Sequence, residues 1–253
     1  MAHFFIDEDI TDLEVGARHV LTGSEGRHAA TVSRLRVGET VGLGNGRGLR
    51  ANVTVTATTR DTVEVTVDDV AQTPQRRPRL ILAQALAKAD RDERAVEAAV
   101  EVGADSVVPW QAERSVSRWD SAKAAKGAAR WRAIAREASK QSLAVWVPHV
   151  EDVCTLTALL RREETTVIVL DASGTPFVDA EWEDLSNSSH DILFIVGPEG
   201  GLSEREIDEC HDAGARVLRL GSQILRTSTA GPVAIAVASA LMGRWGERPT
   251  IET

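Results

Sequence analysis

Two glycine-containing loops, each lying between an apolar run and a helical pattern, constrain the fold of this chain most strongly. The first follows the apolar residues 192–196 and reads Gly-Pro-Glu-Gly-Gly over residues 197–201, and the second follows residues 217–220 and begins at Gly221. In open α/β sheets, ligands bind beyond the carboxyl ends of the strands, where such loops expose backbone groups. Because the two loops begin 24 residues apart, we expect them to form two walls of one ligand pocket.

The first seventy residues favour strands over helices. Residues 53–57 and 63–67 alternate β-branched and other residues with a period of two around Arg60 and Asp61, which is typical of a β-hairpin. Glycines at 42, 44, 46 and 48 predict a turn between short strands before it. We therefore expect a small β-barrel or β-sandwich over residues 1–72, followed by a proline-containing linker over 73–79.

From Leu80 onward, apolar runs alternate with helical patterns. Residues 90–102 and 128–142 have the periodicity of amphipathic helices. The predicted strands of this part are 80–86, 106–109, 166–170, 192–196 and 216–220. Such alternation predicts a second, α/β domain over residues 80–253, built on a mostly parallel sheet with helices on both faces.

The charge of the chain is unevenly distributed. The formal net charge is −9, yet residues 73–140 carry a net charge of +5 and residues 141–253 carry −10. The arginines of the basic segment form two groups: Arg76, Arg77, Arg79, Arg91 and Arg94, then Arg114, Arg118, Arg130, Arg132 and Arg136. These groups either are solvated helix faces or form a local surface that attracts a polyanion such as RNA.

Several other classes of site and location are disfavoured by the sequence. Cys154 and Cys210 lack the spacing of a zinc site or a disulfide framework, so we expect two reduced thiols and no metal. The segment 1–10 is acidic, and no apolar stretch approaches the roughly 18 residues of a membrane span. We therefore expect a cytoplasmic protein without a membrane partner.

The residues of the first loop indicate the class of ligand. Ser203 and Glu206 have the spacing of a capping box and predict a helix start, while Gly200 and Gly201 allow close approach to the backbone. The loop matches neither of the common nucleotide-phosphate motifs, and Glu199 would repel a phosphate. A neutral or cationic ligand is thus favoured, although such a turn can also exist without any ligand.

The second loop supplies a candidate catalytic group. Hydroxyl groups at Thr227, Ser228 and Thr229 can cap the apolar helix that follows. Arg226 is either a structural ion-pair partner or a group that contacts substrate or developing charge. The six histidines are scattered along the sequence, so a general base is not evident.

These motifs, taken in order, resemble those of a known family. Residues 197–203 with Glu206, followed by Leu220-Gly221 and by Leu225-Arg226-Thr227-x-Thr229-Ala230, resemble the ribosomal RNA small subunit methyltransferase E family of the SPOUT superfamily. Near the amino terminus, residues 28–38 resemble the H-x-x-x-V-x-R-x-x-x-G stretch of that family's PUA-like RNA-binding domain. Further matching positions are Lys88 to Arg91, Glu101 to Gly103, Val108-Pro109, Arg114-Ser115 and Gln141-Ser142.

The resemblance implies a fold and a reaction. It implies an α/β protein in which a PUA-like β-barrel precedes a SPOUT domain with a deep trefoil knot at about residues 190–235. The implied cofactor is S-adenosyl-L-methionine, and the implied reaction is methylation of N3 of a uridine in 16S, small-subunit ribosomal RNA. The implied partners are that RNA or the assembled small subunit and a second copy of the chain.

The resemblance and the loop chemistry together predict three groups of site residues. Arg226 and Glu199 are the predicted catalytic residues. The predicted cofactor-binding residues are Leu170, Gly197, Pro198, Glu199, Gly200, Gly201, Leu220, Gly221, Ile224, Leu225, Thr227 and Ala230. The predicted RNA-binding residues are Arg34, Arg36, Arg47, Lys88, Arg91 and Arg114.

The chain also departs from the family pattern. Ala98 stands where lysine is frequent, Lys140 where glutamate is frequent, and Ser222-Gln223 where the family usually has Pro-Arg; Leu143-Ala144 lack an arginine often found after Gln-Ser. These positions bear on RNA contacts and loop support. A related methyltransferase with another RNA target and a non-catalytic RNA-binding assembly factor remain alternatives, whereas a nicotinamide enzyme would need a glycine fingerprint that is missing here.

Overall fold

The computed structural model describes residues 3–246 and divides the chain into two compact units. The first unit contains the residues up to Gln75 together with Ser139–Val147, and the second contains Arg76–Ala138 and the residues from Pro148 onward. The boundaries expected from the sequence had placed residues 139–147 in the second domain. This segment belongs to the first unit because of contacts with residues that are about a hundred positions away in the chain.

The first unit is built on a five-stranded sheet with the order β1-β3-β4-β5-β2. Its strands are β1 (Phe4–Ile6), β2 (Arg18–Leu21), β3 (Thr40–Gly44), β4 (Leu49–Thr58) and β5 (Val63–Gln72). The predicted hairpin is confirmed, because β4 and β5 pair in antiparallel fashion and Val53 lies opposite Val67. The small β-barrel or β-sandwich expected from the sequence is present as a single sheet, with β1 and β2 at opposite edges in the described part of the chain.

The hydrophobic core of the first unit follows from the alternation along its longest strands. Leu49, Ala51, Val53 and Val55 of β4 are buried, while the residues between them are more exposed. A short helix, α1 (Gly23–Arg27), and a π-helical turn, His28–Val32, follow β2. The turn contains the start of the H-x-x-x-V motif, and its Ala29 packs into the same core as β4.

The segment Ser139–Val147 is held to the first unit by backbone and charged contacts. Gly48 N donates to Val145 O at 2.9 Å, and Val147 N donates to Gly46 O at 2.9 Å. Gly48 has a φ of +90°, and a Cβ atom there would lie 2.3 Å from a backbone oxygen, so a glycine is required. Lys140 Nζ lies 3.1 Å from a carboxylate oxygen of Glu25, and both side chains are almost fully buried. Lys140, one of the residues that depart from the family pattern, therefore forms an internal ion pair with Glu25.

The second unit is built on a six-stranded parallel sheet with the order β11-β9-β10-β6-β7-β8, which confirms the predicted sheet type. Its strands are β6 (Leu80–Ala85), β7 (Ser106–Trp110), β8 (His149–Val150), β9 (Thr165–Pro176), β10 (Asp191–Val196) and β11 (Arg216–Arg219). Its helices are α2 (Arg91–Glu101), α3 (Ser121–Gln141, which ends in the first unit), α4 (Leu156–Leu160), α5 (Trp182–Ser186), α6 (Glu204–Asp212) and α7 (Thr227–Leu241).

Helices cover both faces of this parallel sheet, as the alternating apolar runs predict. Successive residues of a strand point to opposite faces, and those of β6 belong to two different clusters: Leu82 packs with Ile235 of α7, whereas Ile81 packs with Leu159 of α4. Every residue of β6 and β10 is buried. These two central strands therefore provide the rigid support for the loops at their carboxyl ends.

Helix α3 begins seven residues earlier than its apolar periodicity indicates. Its first two turns contain several alanines and lysines, which have high helix propensity but give little amphipathic signal. Gly127 lies in this part of the helix, where a Cβ atom would come within 2.5 Å of the Trp119 ring. The glycine thus allows a close approach of Trp119 to α3.

The two cysteines are free, as predicted. Both belong to the cluster that lies on the α4 and α6 side of the sheet. Burial raises the pKa of the Cys154 thiol to about 11 and that of Cys210 to about 12, with nearby carboxylates acting in the same direction. Neither thiol is therefore activated as a nucleophile at neutral pH.

A buried carboxylate fixes the start of β10. Asp191 accepts hydrogen bonds from the backbone N–H of Arg79 at 2.9 Å, from the Arg79 side chain at 2.6 Å and from Arg77 at 3.0 Å. Burial alone would raise the pKa of Asp191, but the hydrogen bonds and charges of the two arginines outweigh it, and the pKa lies below its ordinary value. The carboxylate therefore joins β10 to the start of β6.

We predict that Asp191→Asn lowers the free energy of unfolding by roughly 2–3 kcal/mol at pH 7, because charge-assisted hydrogen bonds are lost. A carboxyl group with a lowered folded-state pKa contributes stability above its unfolded-state pKa, and this contribution is lost as the pH falls through the folded-state value. Urea unfolding between pH 7 and pH 3 should thus show a shallower acid dependence in the variant. Asp208→Asn, on an exposed face of α6, is the control and should behave as wild type.

Candidate active site

A cavity of about 740 Å³ lies in the second unit, beyond the carboxyl ends of β10 and β11 and beside residues 170–172 of β9. Its volume is within the range of small-molecule sites. Its wall includes every residue predicted to bind the ligand: Leu170, Gly197, Pro198, Glu199, Gly200, Gly201, Leu220, Gly221, Ile224, Leu225, Thr227 and Ala230. Arg226 also lines it. The two glycine loops therefore border one pocket, as their positions in the sequence predict.

The first loop is shaped by its glycines and by the capping box that follows. Gly201 has a φ of +67°, a conformation that favours glycine, and its N–H donates to Pro198 O at 2.9 Å. The Ser203 hydroxyl accepts from Glu206 N at 3.1 Å, and Ser203 N donates to the Glu206 carboxylate at 2.8 Å. This confirms the predicted capping box and fixes the point at which the loop enters α6.

Residues of the β7–α3 connection hold the first loop from one side. Arg114 donates to Gly200 O at 3.2 Å and to Leu202 O at 2.9 Å. The neighbouring Glu113 N donates to the carboxylate of Glu206 at 2.9 Å, so the capping box is also tied to this connection. Arg114, which the sequence assigns to RNA binding, therefore supports the ligand loop in the structure.

Glu199 holds the first loop from the other side. One of its carboxylate oxygens accepts from Lys88 N and from the Arg91 guanidinium, each at 2.9 Å. Partial burial raises the pKa of Glu199, but backbone hydrogen bonds and the Arg91 charge lower it more strongly, so the net shift is downward. Glu199 is therefore a bound carboxylate that joins the first loop to the start of α2.

Thr227 joins the two glycine loops directly. Its hydroxyl group donates to Gly197 O at 2.7 Å and accepts from the side-chain amide of Gln84 at 2.8 Å. The expectation that the hydroxyl groups at 227–229 cap α7 is wrong for Thr227, because Arg226 occupies the N-cap position and makes no side-chain cap. The Thr227 hydroxyl is used for a contact with a residue thirty positions earlier.

A third wall of the cavity comes from an excursion in β9 that the sequence pattern did not reveal. Val169 pairs with Val217, but the next residue of β11, Leu218, pairs with Thr175. The intervening residues 170–174 leave the ladder with β11, and Asp171 and Ala172 line the cavity with Leu170. The apolar run ends at Leu170, and only the presence of polar and small residues directly after it could have indicated this wall.

The predicted catalytic arginine differs from the other cations around the cavity. Arg91 pairs with Glu199, and Arg219 donates to Gly174 O. For the Arg226 side chain, no hydrogen bond or ion pair occurs with any residue between His3 and Gly246. Its guanidinium group is thus available to a ligand in the cavity, which favours the second of the two alternatives that the sequence leaves open.

The basic segment is more strongly neutralised than its composition indicates. Arg77 and Arg79 pair with Asp191, Arg130 pairs with Glu93, and Arg132 pairs with Asp152. Among the predicted RNA-binding residues of the first unit, Arg34 and Arg36 are exposed, whereas Arg47 donates to the backbone oxygens of Glu8 and Ile10. Lys88 is also exposed.

Comparison with known families agrees with this arrangement. A model described as an RNA methyltransferase domain matches residues 74–239, and one described as an RNA methyltransferase PUA domain matches residues 21–68. Ribosomal RNA small subunit methyltransferase E of Mycobacterium bovis is 39% identical over 249 residues, covering 96% of this chain and 92% of its own length. The chain belongs to this family.

Other members of the family are similar to this chain over almost its whole length. The Bacillus subtilis ribosomal RNA small subunit methyltransferase E is 30% identical over 246 residues, which is 94% of this chain and 96% of the relative. The crystal structure of the Neisseria gonorrhoeae member bound to S-adenosyl methionine has a TM-score of 0.84 at 28% identity, covering 95% of this chain and 98% of that one. Both units therefore have counterparts in the family.

The described residues contain neither a metal-binding cluster nor a membrane-spanning helix. No group of three or more His, Cys, Asp or Glu side chains between residues 3 and 246 is arranged to hold a metal ion. Within the same residues, none of the helices combines the length and the apolar character that crossing a bilayer requires.

We predict that Thr227→Val destabilises the chain by about 1–3 kcal/mol, because the carbonyl of Gly197 and the amide of Gln84 each lose a buried partner. Thr227→Ser keeps the hydroxyl group and should lose much less. Urea unfolding of the two variants and the wild type measures this difference. Equal stability of the valine and serine variants would contradict the role of the hydroxyl group.

Proposed function

We propose that the chain is an S-adenosylmethionine-dependent methyltransferase that methylates N3 of a uridine in small-subunit ribosomal RNA. The observation that carries the proposal is the cavity that the two glycine loops form with residues 170–172 of β9. The chain in which it lies belongs to the methyltransferase E family along most of its length. The Neisseria gonorrhoeae relative, similar over 95% of the chain, was crystallised with S-adenosyl methionine. The specificity for uridine N3 rests on the family resemblance.

The cavity fits S-adenosylmethionine in size and in the groups it exposes. A nucleoside needs backbone donors and acceptors for its base and room for its ring, and Gly197, Gly200, Gly201 and Gly221 leave the backbone of both loops accessible. Leu170, Leu220 and Leu225 provide apolar surface. We therefore propose that the two loops hold the cofactor, as the sequence predicts for these residues.

When bound, S-adenosylmethionine supplies an electrophilic methyl group. Methylation of uracil N3 also requires loss of the N3 proton, and negative charge then spreads to the two flanking carbonyl oxygens. The unpaired Arg226 guanidinium can stabilise this charge, since a preorganised cation is most effective where negative charge develops. Arg226 is thus the proposed catalytic residue.

For Glu199 we propose a positioning role in place of the catalytic role expected from the sequence. A general base works best when its pKa lies near the operating pH, and the pKa of Glu199 is lowered by hydrogen bonds and by Arg91. Its oxygen is already bound to Lys88 N and Arg91. The contacts support a carboxylate that fixes the first loop.

We also propose the trefoil knot at about residues 190–235. Strand β11 lies at the edge of the sheet beyond β9, yet the chain then returns to α7, where Gly231 lies against Leu82 of β6 and Val196 of β10. The hydrogen bond from Thr227 to Gly197 O accompanies this return. A chain that passes back beside the 197–201 loop in this way is what a threaded connection requires.

For RNA binding, we propose that the exposed Arg34 and Arg36, with Lys88, contact the phosphate backbone. Arg47, Arg91 and Arg114 already have internal partners, so any RNA contact from them would add to a structural role. The target uridine must leave its stack for its N3 edge to be reached.

A homodimer and a cytoplasmic location complete the proposal, as the family resemblance implies.

The decisive experiment incubates the purified chain with radiolabelled S-adenosylmethionine and isolated small ribosomal subunits, followed by nucleoside mapping. We expect label in 3-methyluridine at a single site of the 16S RNA. Label in another nucleoside or in transfer RNA would support a different member of the superfamily. Binding of small subunits without cofactor binding or methyl transfer would support the assembly factor.

We predict that Arg226→Ala lowers the rate of methyl transfer at least about 100-fold, the usual cost of removing a group that stabilises developing charge. The dissociation constant for S-adenosylmethionine, measured by calorimetry, should change little. Arg161→Ala, an exposed arginine of the same unit, is the matched control and should retain wild-type activity. Near-normal turnover of Arg226→Ala would refute the assignment.

We predict that Glu199→Gln retains turnover within about tenfold of wild type and keeps the shape of the pH profile, since an amide oxygen can still accept from Lys88 N and Arg91. Loss of a general base would cost about 100-fold or more. Arg91→Ala should weaken cofactor binding, and the double variant should lose less than the sum of the single changes, because both substitutions alter the same Arg91–Glu199 contact. A selective loss of the basic limb of the pH profile in Glu199→Gln would favour catalysis by Glu199.

A further inference from the structure

The charged groups around the cavity do not all have partners. Five charged side chains line it: Arg91, Asp171, Glu199, Arg219 and Arg226. Glu199 and Arg91 neutralise each other, and Arg219 donates to a backbone oxygen. This leaves one cation, Arg226, and one anion, Asp171, without an ion-pair partner among residues 3–246.

Asp171 is held in a defined orientation. Its Oδ1 atom accepts from Ser173 N at 2.9 Å and from the Ser173 hydroxyl at 2.7 Å. Both donors contact the same oxygen, so Oδ2 remains available. Asp171 directly follows Leu170, the last residue of β9 that pairs with β10, and it lies within the 170–174 excursion from the ladder with β11. It therefore belongs to the central strand of the three that form the cavity.

The second loop offers no counter-charge to this carboxylate. Residues 220–225 contain no lysine or arginine. A carboxylate at the wall of a partly enclosed cavity is stabilised by a positive charge nearby, and this stabilisation is greater than in open water. The chain itself provides such a charge for Glu199 but not for Asp171.

We propose that Asp171 binds the positively charged methionine portion of the cofactor. This inference rests on the proposed function and extends it to a residue that sequence reasoning missed. The two positive charges of that portion are the α-ammonium group and the sulfonium, and each can form an ion pair with a carboxylate. Arg226, the unpaired cation, remains available for the negative charge that develops on the substrate. Asp171 would thus contact the cofactor, and Arg226 would contact the substrate.

The main competing role for Asp171 is a hydrogen bond to the ribose hydroxyl groups, since carboxylates bind ribose in other nucleotide sites. A ribose contact would be needed equally for every adenosine-containing ligand. A contact with the positive charge would be needed only for ligands that carry it. Ligands that differ in these groups therefore separate the two roles without any methyl transfer.

The test measures dissociation constants by calorimetry for three compounds: S-adenosylmethionine, S-adenosylhomocysteine, which lacks the sulfonium charge, and 5′-methylthioadenosine, which lacks both charges. We expect Asp171→Asn to weaken S-adenosylmethionine binding about tenfold or more, the usual effect of losing a charge-assisted hydrogen bond. Binding of 5′-methylthioadenosine should be unchanged. Asp184→Asn, an exposed residue of α5, is the matched control.

The remaining compound identifies the charge that is bound. A similar loss for S-adenosylhomocysteine assigns Asp171 to the α-ammonium group, and an unchanged affinity for it assigns Asp171 to the sulfonium. Either result supports the proposal. Equal losses for all three compounds, or no loss for any of them, would overturn it.

A second variant covers the case in which Asp171→Asn does not fold. Ser173→Ala removes one of the two donors that orient the carboxylate, and we expect a two- to threefold loss for S-adenosylmethionine and none for 5′-methylthioadenosine. An unchanged affinity of Ser173→Ala together with a misfolded Asp171→Asn would also overturn the proposal. Failure of the wild-type chain to bind S-adenosylmethionine would instead refute the proposed function.

Discussion

The hydrogen bond from the Thr227 hydroxyl to Gly197 O holds the site together. It joins the residue directly after β10 to the first residue of α7, and Gln84 at the end of β6 supports the same hydroxyl group. The two loops are also connected through β9, which pairs with both β10 and β11, and through Gly231 of α7, which lies against Val196. Because all three partners lie on rigid elements, the loops keep a fixed separation before any ligand binds, and such preorganisation reduces the entropic cost of binding.

The first loop is further fixed from both sides, and this determines which of its groups can act chemically. Arg114 binds its carbonyl oxygens on one side, and Glu199 binds the start of α2 on the other. Arg114 and Glu199 therefore position the backbone of the first loop. Other groups of the lining remain for a ligand, among them the bare backbone of the glycines and two charged side chains, Asp171 and Arg226, that have no ion-pair partner among residues 3–246. The proposed function uses such a site to stabilise charge and to orient its ligands.

Internal ion pairs explain why the basic composition of residues 73–140 overstates the surface available to RNA. Arg77 and Arg79 at the start of β6 pair with Asp191, and Arg130 and Arg132 of α3 pair with Glu93 and Asp152. Their charge was visible in the sequence, but their partners lie between 20 and 114 positions away. Net charge over a segment therefore indicates a possible RNA surface only after internal ion pairs have been taken into account.

Features that depend on near neighbours could be predicted from the sequence alone. Alternation of β-branched residues gave the β4–β5 hairpin, apolar runs gave the parallel strands, and the spacing of Ser203 and Glu206 gave the start of α6, because each of these patterns reflects local sterics and hydrogen bonding. Other features became visible only in the tertiary structure. They are the link that Thr227 makes between the loops, the excursion that brings Asp171 to the cavity, the pairing of Glu199 with Arg91, and the attachment of residues 139–147 to the first unit. These features depend on contacts between distant parts of the chain, and no local pattern specifies which distant residue will be the partner.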